Sequence, residues 1–313
     1  MTAKKMPAQE VARGEYINMI PQKLVFVISA PRSGSTWLQL LLSQNEATVS
    51  CQETHLFNHY LRGVFHSHHH FLSNERGVGI SNILPDQDIS ELVRDFASNA
   101  RARIAARKPA ARIFIEKTPG HVECYQQILS IFPDAYFVEI VRDPRAMVAS
   151  MRAVDFGDWA KPGILTNTNI WLSAVHHGDA LATATERHIR VRYEDLLSDG
   201  AATLASIWAC LDEPCSLATA QQQIDAVAFD KLKTRSKPIE SPWDIGKEPI
   251  NFFRKGQPDS WREELSTRQI ALIEAAAKKE MASLRYDTIT NGVRMPWAAW
   301  LRRKLAKLSD DLI

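Results

Sequence analysis

Four short runs of consecutive apolar and β-branched residues stand out along the chain: Leu24–Ser29 (LVFVIS), Ile113–Glu116 (IFIE), Tyr136–Val141 (YFVEIV) and His188–Tyr193 (HIRVRY). Runs of this length and composition suit buried strands of a parallel sheet. Between and after them, apolar positions recur at helical spacing over Thr36–Ser43, Ile89–Ala106, Thr203–Leu211 and Thr267–Met281. The alternation predicts an α/β fold, a parallel sheet flanked by helices, with its ligand site at the C-terminal strand ends. Residues 55–85 and 153–169 are richer in Gly, His, Asn and Pro and lack clean periodicity, so they are predicted as loops over that site.

Composition narrows the class. The 313 residues are 45% hydrophobic, and no long Pro/Gly/Ser linker interrupts them. That predicts a single domain over residues 23–290, with an extension at 1–22 and a basic amphipathic helix at 291–313. Lys+Arg number 38 and Asp+Glu 36, so the formal charge of +2 argues against nucleic acid as a partner. Any anion site must be built locally. The four cysteines form neither a CxxC pair nor a zinc spacing, which suits a reducing compartment. The N-terminus lacks the apolar run of a signal peptide, and no stretch approaches a membrane span, so a cytoplasmic protein is expected.

Two strand ends carry anion-binding chemistry. After LVFVIS comes Ala30-Pro31-Arg32-Ser33-Gly34-Ser35-Thr36-Trp37, a tight small-residue turn that opens an apolar helix. Amides at a helix start point at an anion, Gly34 allows close backbone approach, Ser35 and Thr36 add hydroxyls, and Arg32 adds charge. By itself the turn fits an ordinary capped helix equally well. After YFVEIV, Arg142 stands at a strand end and Ser150 follows eight positions later on a predicted helix, a second pair able to clamp a phosphate. A phosphate-binding GxxxxGK[ST] loop is absent, which disfavours an ATP- and magnesium-dependent kinase.

APRSGSTW resembles the 5′-phosphosulfate loop of the sulfotransferases that use 3′-phosphoadenosine-5′-phosphosulfate (PAPS), and VRDPRAMVAS resembles their 3′-phosphate motif. The resemblance implies a P-loop-NTPase-like fold and transfer of a sulfuryl group from PAPS to an acceptor hydroxyl, releasing 3′-phosphoadenosine-5′-phosphate (PAP) without a metal. It implies nucleotide contacts from Arg32–Trp37, Arg142 and Ser150, from Tyr193 in VRYEDL, and from Arg254, Lys255 and Gly256 in an RKG loop. Phe229 is a candidate for the second face of an adenine sandwich, or a core aromatic. The mixture of cytosolic-type RKG and Golgi-type EKTP resembles a bacterial member.

For the chemistry, Glu53 is expected as the base. It lies twenty-one positions after Arg32, as a catalytic glutamate does after the loop arginine in tyrosylprotein sulfotransferases. Lys117 in Glu116-Lys117-Thr118-Pro119 resembles the lysine that neutralises the leaving group, and Arg32 assists. His121 ranks below Glu53, because the cytosolic catalytic histidine position is Pro119 here. The acceptor, a glycan, lipid, natural product or tyrosine, is open. The histidines from His55 to His70 suggest a lid rather than a metal site. Residues 297–308 either dock on the domain or touch a membrane surface. A non-catalytic nucleotide sensor is the rival from another class.

Overall fold

The computed structural model describes residues 21–74, 77–154, 163–228, 231–232, 245 and 256–290. Its centre is a five-stranded sheet made of β1 (Lys23–Ile28), β2 (Thr48–Ser50), β3 (Ile113–Lys117), β4 (Tyr136–Val141) and β5 (His188–Arg192). Their order is β2-β3-β1-β4-β5 and every pairing is parallel, with Val27 opposite Lys117 and Val141 opposite Arg192. All five strands therefore end along one edge, where each delivers a residue to the site.

Burial on both faces explains why β1, β3 and β4 read as nearly unbroken apolar runs, while β5 at the sheet edge keeps polar residues at alternate positions. Leu24, Phe26 and Ile28 point into one core with Phe114 and Phe137, and Val25 and Val27 point into the other with Ile115, Val138 and Ile140. The first core is covered by α3 (Asp86–Ala105), α4 (Tyr125–Ile131), α5 (Pro144–Arg152) and α6 (Ile164–Ala184), and by the late helix α11 (Thr267–Ser283). The second is covered by α1 (Ser35–Leu42), α7 (Tyr193–Ser198), α8 (Gly200–Cys210) and α9 (Leu217–Ala226). The turn α10 (Trp261–Glu264) seals the first core with Trp261.

Two expectations need correction. Most of the region predicted as a loop from residue 55 to 85 is helical: a π-helical turn, Leu56–Leu61, runs into α2 (Arg62–Asn74), and a short 3-10 turn follows at Ile80–Asn82. Phe57 and Leu61 are buried, with Phe65 against them, so an apolar stripe lies beneath the intervening polar histidines. The predicted loop 153–169 also gives way to α6 from Ile164, whose first buried residues, Asn167 and Thr168, are polar and mask the helical period. Strand β2 escaped the sequence reading because three residues are too few for a pattern. Residues 297–308, Phe229, Arg254 and Lys255 lie outside the described residues.

Candidate active site

The turn after β1 is shaped by contacts beneath it. Gly34 has φ +102°, and a Cβ there would come within 2.6 Å of the Tyr193 ring, so glycine lets the turn lie on that ring. No side chain caps α1, which leaves the first amides of the helix for an anion. Ser33 is fully buried and its hydroxyl has no partner. Arg32 adopts φ 64°, a left-handed conformation for a non-glycine residue, and its Nε donates to Ser150 Oγ at 3.2 Å.

Arg142 leaves the end of β4 toward the same turn. Its Nη1 donates to the Arg32 carbonyl at 3.2 Å, its guanidinium lies 4.5 Å from the centre of the Tyr193 ring, and its Nε is buried without a partner. The adjacent Asp143 does not pair with it. Asp143 caps α5 and binds Arg145, which also reaches Glu274 at 2.6 Å and stacks on Trp261. This buried network, absent from the sequence reading, is structural: it consumes one arginine of the motif and leaves the other facing the cavity.

The ends of β2 and β3 meet at Glu53 and Lys117. Lys117 Nζ donates to Glu53 Oε1 at 2.6 Å, and the lysine side chain is 2% exposed against 34% for the glutamate. Behind the pair, Glu116 accepts hydrogen bonds from Thr54 Oγ1 at 2.6 Å and Thr118 Oγ1 at 2.7 Å, and lies 2.8 Å from His121 Nδ1. Burial would raise its pKa, but His121 and the two threonine hydroxyls prevail and hold it at about 2. Glu116 thus ties the Glu53 loop to the Lys117 strand, a role the sequence did not reveal, where the EKTP motif assigned a task to the lysine alone.

His121 is corrected by its place. It is fully buried between Phe26 and Phe57, its Nε2 accepts the Phe57 amide at 3.2 Å, and it does not line the cavity. It braces Glu116 rather than meeting an acceptor.

These strand ends enclose a cavity of about 520 Å³. One side is Arg32, Gly34–Trp37, Arg142, Ser150, Tyr193 and Gly256; the other holds Glu53, His55, Asn58, His59 and Gly120. Trp37 is nearly buried, with its indole N–H on the Val227 carbonyl at 3.3 Å and its edge toward Tyr193. Tyr193 opens α7 and its hydroxyl lies 3.5 Å from the Gly256 carbonyl. Among the described residues no three His, Cys, Asp or Glu side chains converge as a metal-holding set.

A model of the sulfotransferase family matches residues 25–217, well over half the chain. The chain belongs to the sulfotransferase family. Its reaction is transfer of a sulfuryl group from PAPS to an acceptor hydroxyl. The fold of this sulfotransferase is similar to that of the sulfotransferase domain of the Synechococcus PCC 7002 olefin synthase, at 20% identity and a TM-score of 0.51, over 85% of this chain and 96% of that one. It is also similar to a mouse sulfotransferase, SULT7A1, solved with PAP, at 13% identity and a TM-score of 0.50, over 94% of each chain. No curated protein sequence matches it. Among the described residues no helix of this sulfotransferase is long and apolar enough to cross a membrane.

Proposed function

We propose that the turn at residues 31–36 holds the 5′-phosphosulfate of PAPS, that Arg142 and Ser150 hold its 3′-phosphate, and that Glu53 takes the proton of the acceptor hydroxyl. The observation that carries this reading is the Glu53–Lys117 pair, 2.6 Å apart, with the carboxylate on the cavity wall. Each partner has a task in sulfuryl transfer. Lys117, 2% exposed and set behind Glu53 rather than on the cavity lining, offsets through its charge the negative oxygen released as the donor S–O bond breaks, and Glu53 receives the proton as the acceptor oxygen attacks. Arg32 adds charge beside the transferred group.

The buried, unpartnered Ser33 hydroxyl and Arg142 Nε and the uncapped start of α1 suit a doubly phosphorylated nucleotide. Trp37 and Tyr193 provide aromatic surface for the adenine, and Gly256 closes over Tyr193. The reaction needs no metal in this reading. A hydroxyl-bearing glycan, lipid, natural product or tyrosine enters beside His55, Asn58 and His59. A cytoplasmic setting agrees with four free cysteines.

The test is incubation with PAPS and a panel of acceptors in EDTA, covering a phenol, a sterol, a sugar glycoside and a tyrosine peptide. PAP release that depends on an acceptor, with a sulfo group gained by that acceptor, supports the reading. Phosphorylation that requires ATP and magnesium would overturn it.

A further inference from the structure

Two cavity-lining residues other than glycine sit in the left-handed region of the backbone, Arg32 at φ 64° and His55 at φ 51°. Arg32 belongs to the anion turn. His55 has no part in that turn, yet its conformation is held in place: its amide donates to Thr118 Oγ1 at 3.3 Å, and Thr118 in turn is bound to Glu116. Sparsely populated backbone conformations persist where surrounding contacts enforce them, and they concentrate at functional sites.

This conformation brings the imidazole to the base. His55 Nε2 lies 3.4 Å from Glu53 Oε2, while Lys117 occupies Oε1 at 2.6 Å. The two oxygens of one carboxylate thus serve different partners. On the far side of the ring, the Asn58 side-chain amide is 3.3 Å from Nδ1, and Asn58 Oδ1 is buried with no partner. With Asn58 Nδ2 donating to Nδ1, Nε2–H faces Glu53; with the two ends of that amide exchanged, Oδ1 accepts a hydrogen bond from Nδ1–H and Nε2 becomes the basic nitrogen facing Glu53.

We infer that Glu53 and His55 form a carboxylate–imidazole dyad in which His55 receives the proton that Glu53 takes from the acceptor. The inference rests on Glu53 being the base. In balance, the acceptor O–H bond breaks with its proton passing to Glu53, the acceptor oxygen bonds to sulfur, and the S–O bond to the nucleotide breaks with its electron pair leaving on PAP. The proton then moves from Glu53 to His55 Nε2. The imidazole is 41% exposed, so it can release that proton to water, whereas the other neighbour of Glu53, Lys117, is buried and already cationic.

The groups around His55 define the expected pH response. Glu53 and Lys117 are on one side, His59 on the next turn has its ring centre 4.9 Å away, Glu116 stands behind Thr118, and Arg32, Arg142 and Glu264 also line the cavity. A protonated His55 cannot accept a further proton, and it places a second cation on Glu53, which weakens the base. Turnover therefore falls as pH drops through the His55 titration.

The test compares wild type with His55→Gln from pH 5 to 9, using the panel acceptor with the fastest wild-type turnover. Histidine-labelled 15N spectra are recorded on wild type and Glu53→Gln. The expected result is a roughly tenfold or greater loss of kcat in His55→Gln, with the wild-type acid limb removed and PAP affinity and Tm unchanged. In the spectra, the His55 midpoint moves down when Glu53 loses its charge. An unchanged acid limb in His55→Gln, or an unmoved His55 midpoint in Glu53→Gln, would overturn the dyad. The spectra need no turnover, so failure to bind PAP would count against the donor reading while the midpoint still judges the dyad.

Discussion

Replacing Arg142 with alanine probes the donor site most directly, because its guanidinium is positioned by two independent contacts and its backbone by a third. Nη1 is on the Arg32 carbonyl, the guanidinium lies over Tyr193, and the Arg142 carbonyl accepts from the Trp171 indole at 2.8 Å. Among the described residues no carboxylate pairs with it, so its charge is available to a phosphate. A charge-assisted hydrogen bond contributes about 1.5–3 kcal/mol, and a fork on a phosphate supplies up to two. Losing about 3–4 kcal/mol weakens PAP roughly 10²- to 10³-fold. ADP lacks the 3′-phosphate and should change by less than about threefold on this reasoning. Arg142→Lys keeps the charge without the fork and should lose roughly tenfold for PAP.

The assay is calorimetric titration of PAP and ADP at fixed ionic strength, with EDTA and then with magnesium. Alanine also strips a donor from the Arg32 carbonyl and a cation from Tyr193, a stability cost of about 1–2 kcal/mol that thermal unfolding would register. An equal loss for PAP and ADP would refute the reasoning, since Arg142 would then only brace the turn through Arg32. Unchanged PAP binding would refute it outright.

Glu53→Gln keeps a hydrogen-bond acceptor for Lys117 and removes the base, so turnover should fall about a hundredfold or more while PAP binding persists; retained turnover would exclude Glu53. Gly34→Ala combines φ +102° with a Cβ 2.6 Å from Tyr193, and a cost of about 3 kcal/mol should lower Tm by about 4–6 °C and weaken PAP. Glu116 is held at about 2 against an ordinary 4.5. It therefore contributes stability that is complete above pH 4.5 and is lost as pH falls toward 2. Urea midpoints should drop more steeply on acidification in wild type than in Glu116→Gln, and parallel curves would contradict the assignment.

The sheet was legible because strands buried on both faces must be apolar throughout. Three of five strands, β1, β3 and β4, follow from that requirement, and with them the edge where ligands bind; β5, an edge strand with polar residues at alternate positions, is only half-buried. The anion turn was legible for a similar reason, since a turn that must expose amides and pass over Tyr193 tolerates little beyond small residues, and the second motif was legible through its resemblance to the family's 3′-phosphate motif. Position in the chain could not reveal long-range pairing. Arg142 and Arg145 are equivalent as cations in sequence, and only the fold brings Glu274 from α11 to occupy Arg145 while Arg142 turns to the cavity. His121 and His55 are likewise both histidines near a strand end. Packing between Phe26 and Phe57 takes the first out of reach, and a left-handed residue held by Thr118 swings the second onto Glu53. The sequence by itself determined the fold class, which depends on local patterns of polarity, and it carried the donor chemistry through the resemblance of its two anion motifs to those of PAPS-dependent sulfotransferases. Tertiary structure alone decided which charges neutralise one another and which face the cavity, because electrostatic pairing depends on distances that chain order does not encode.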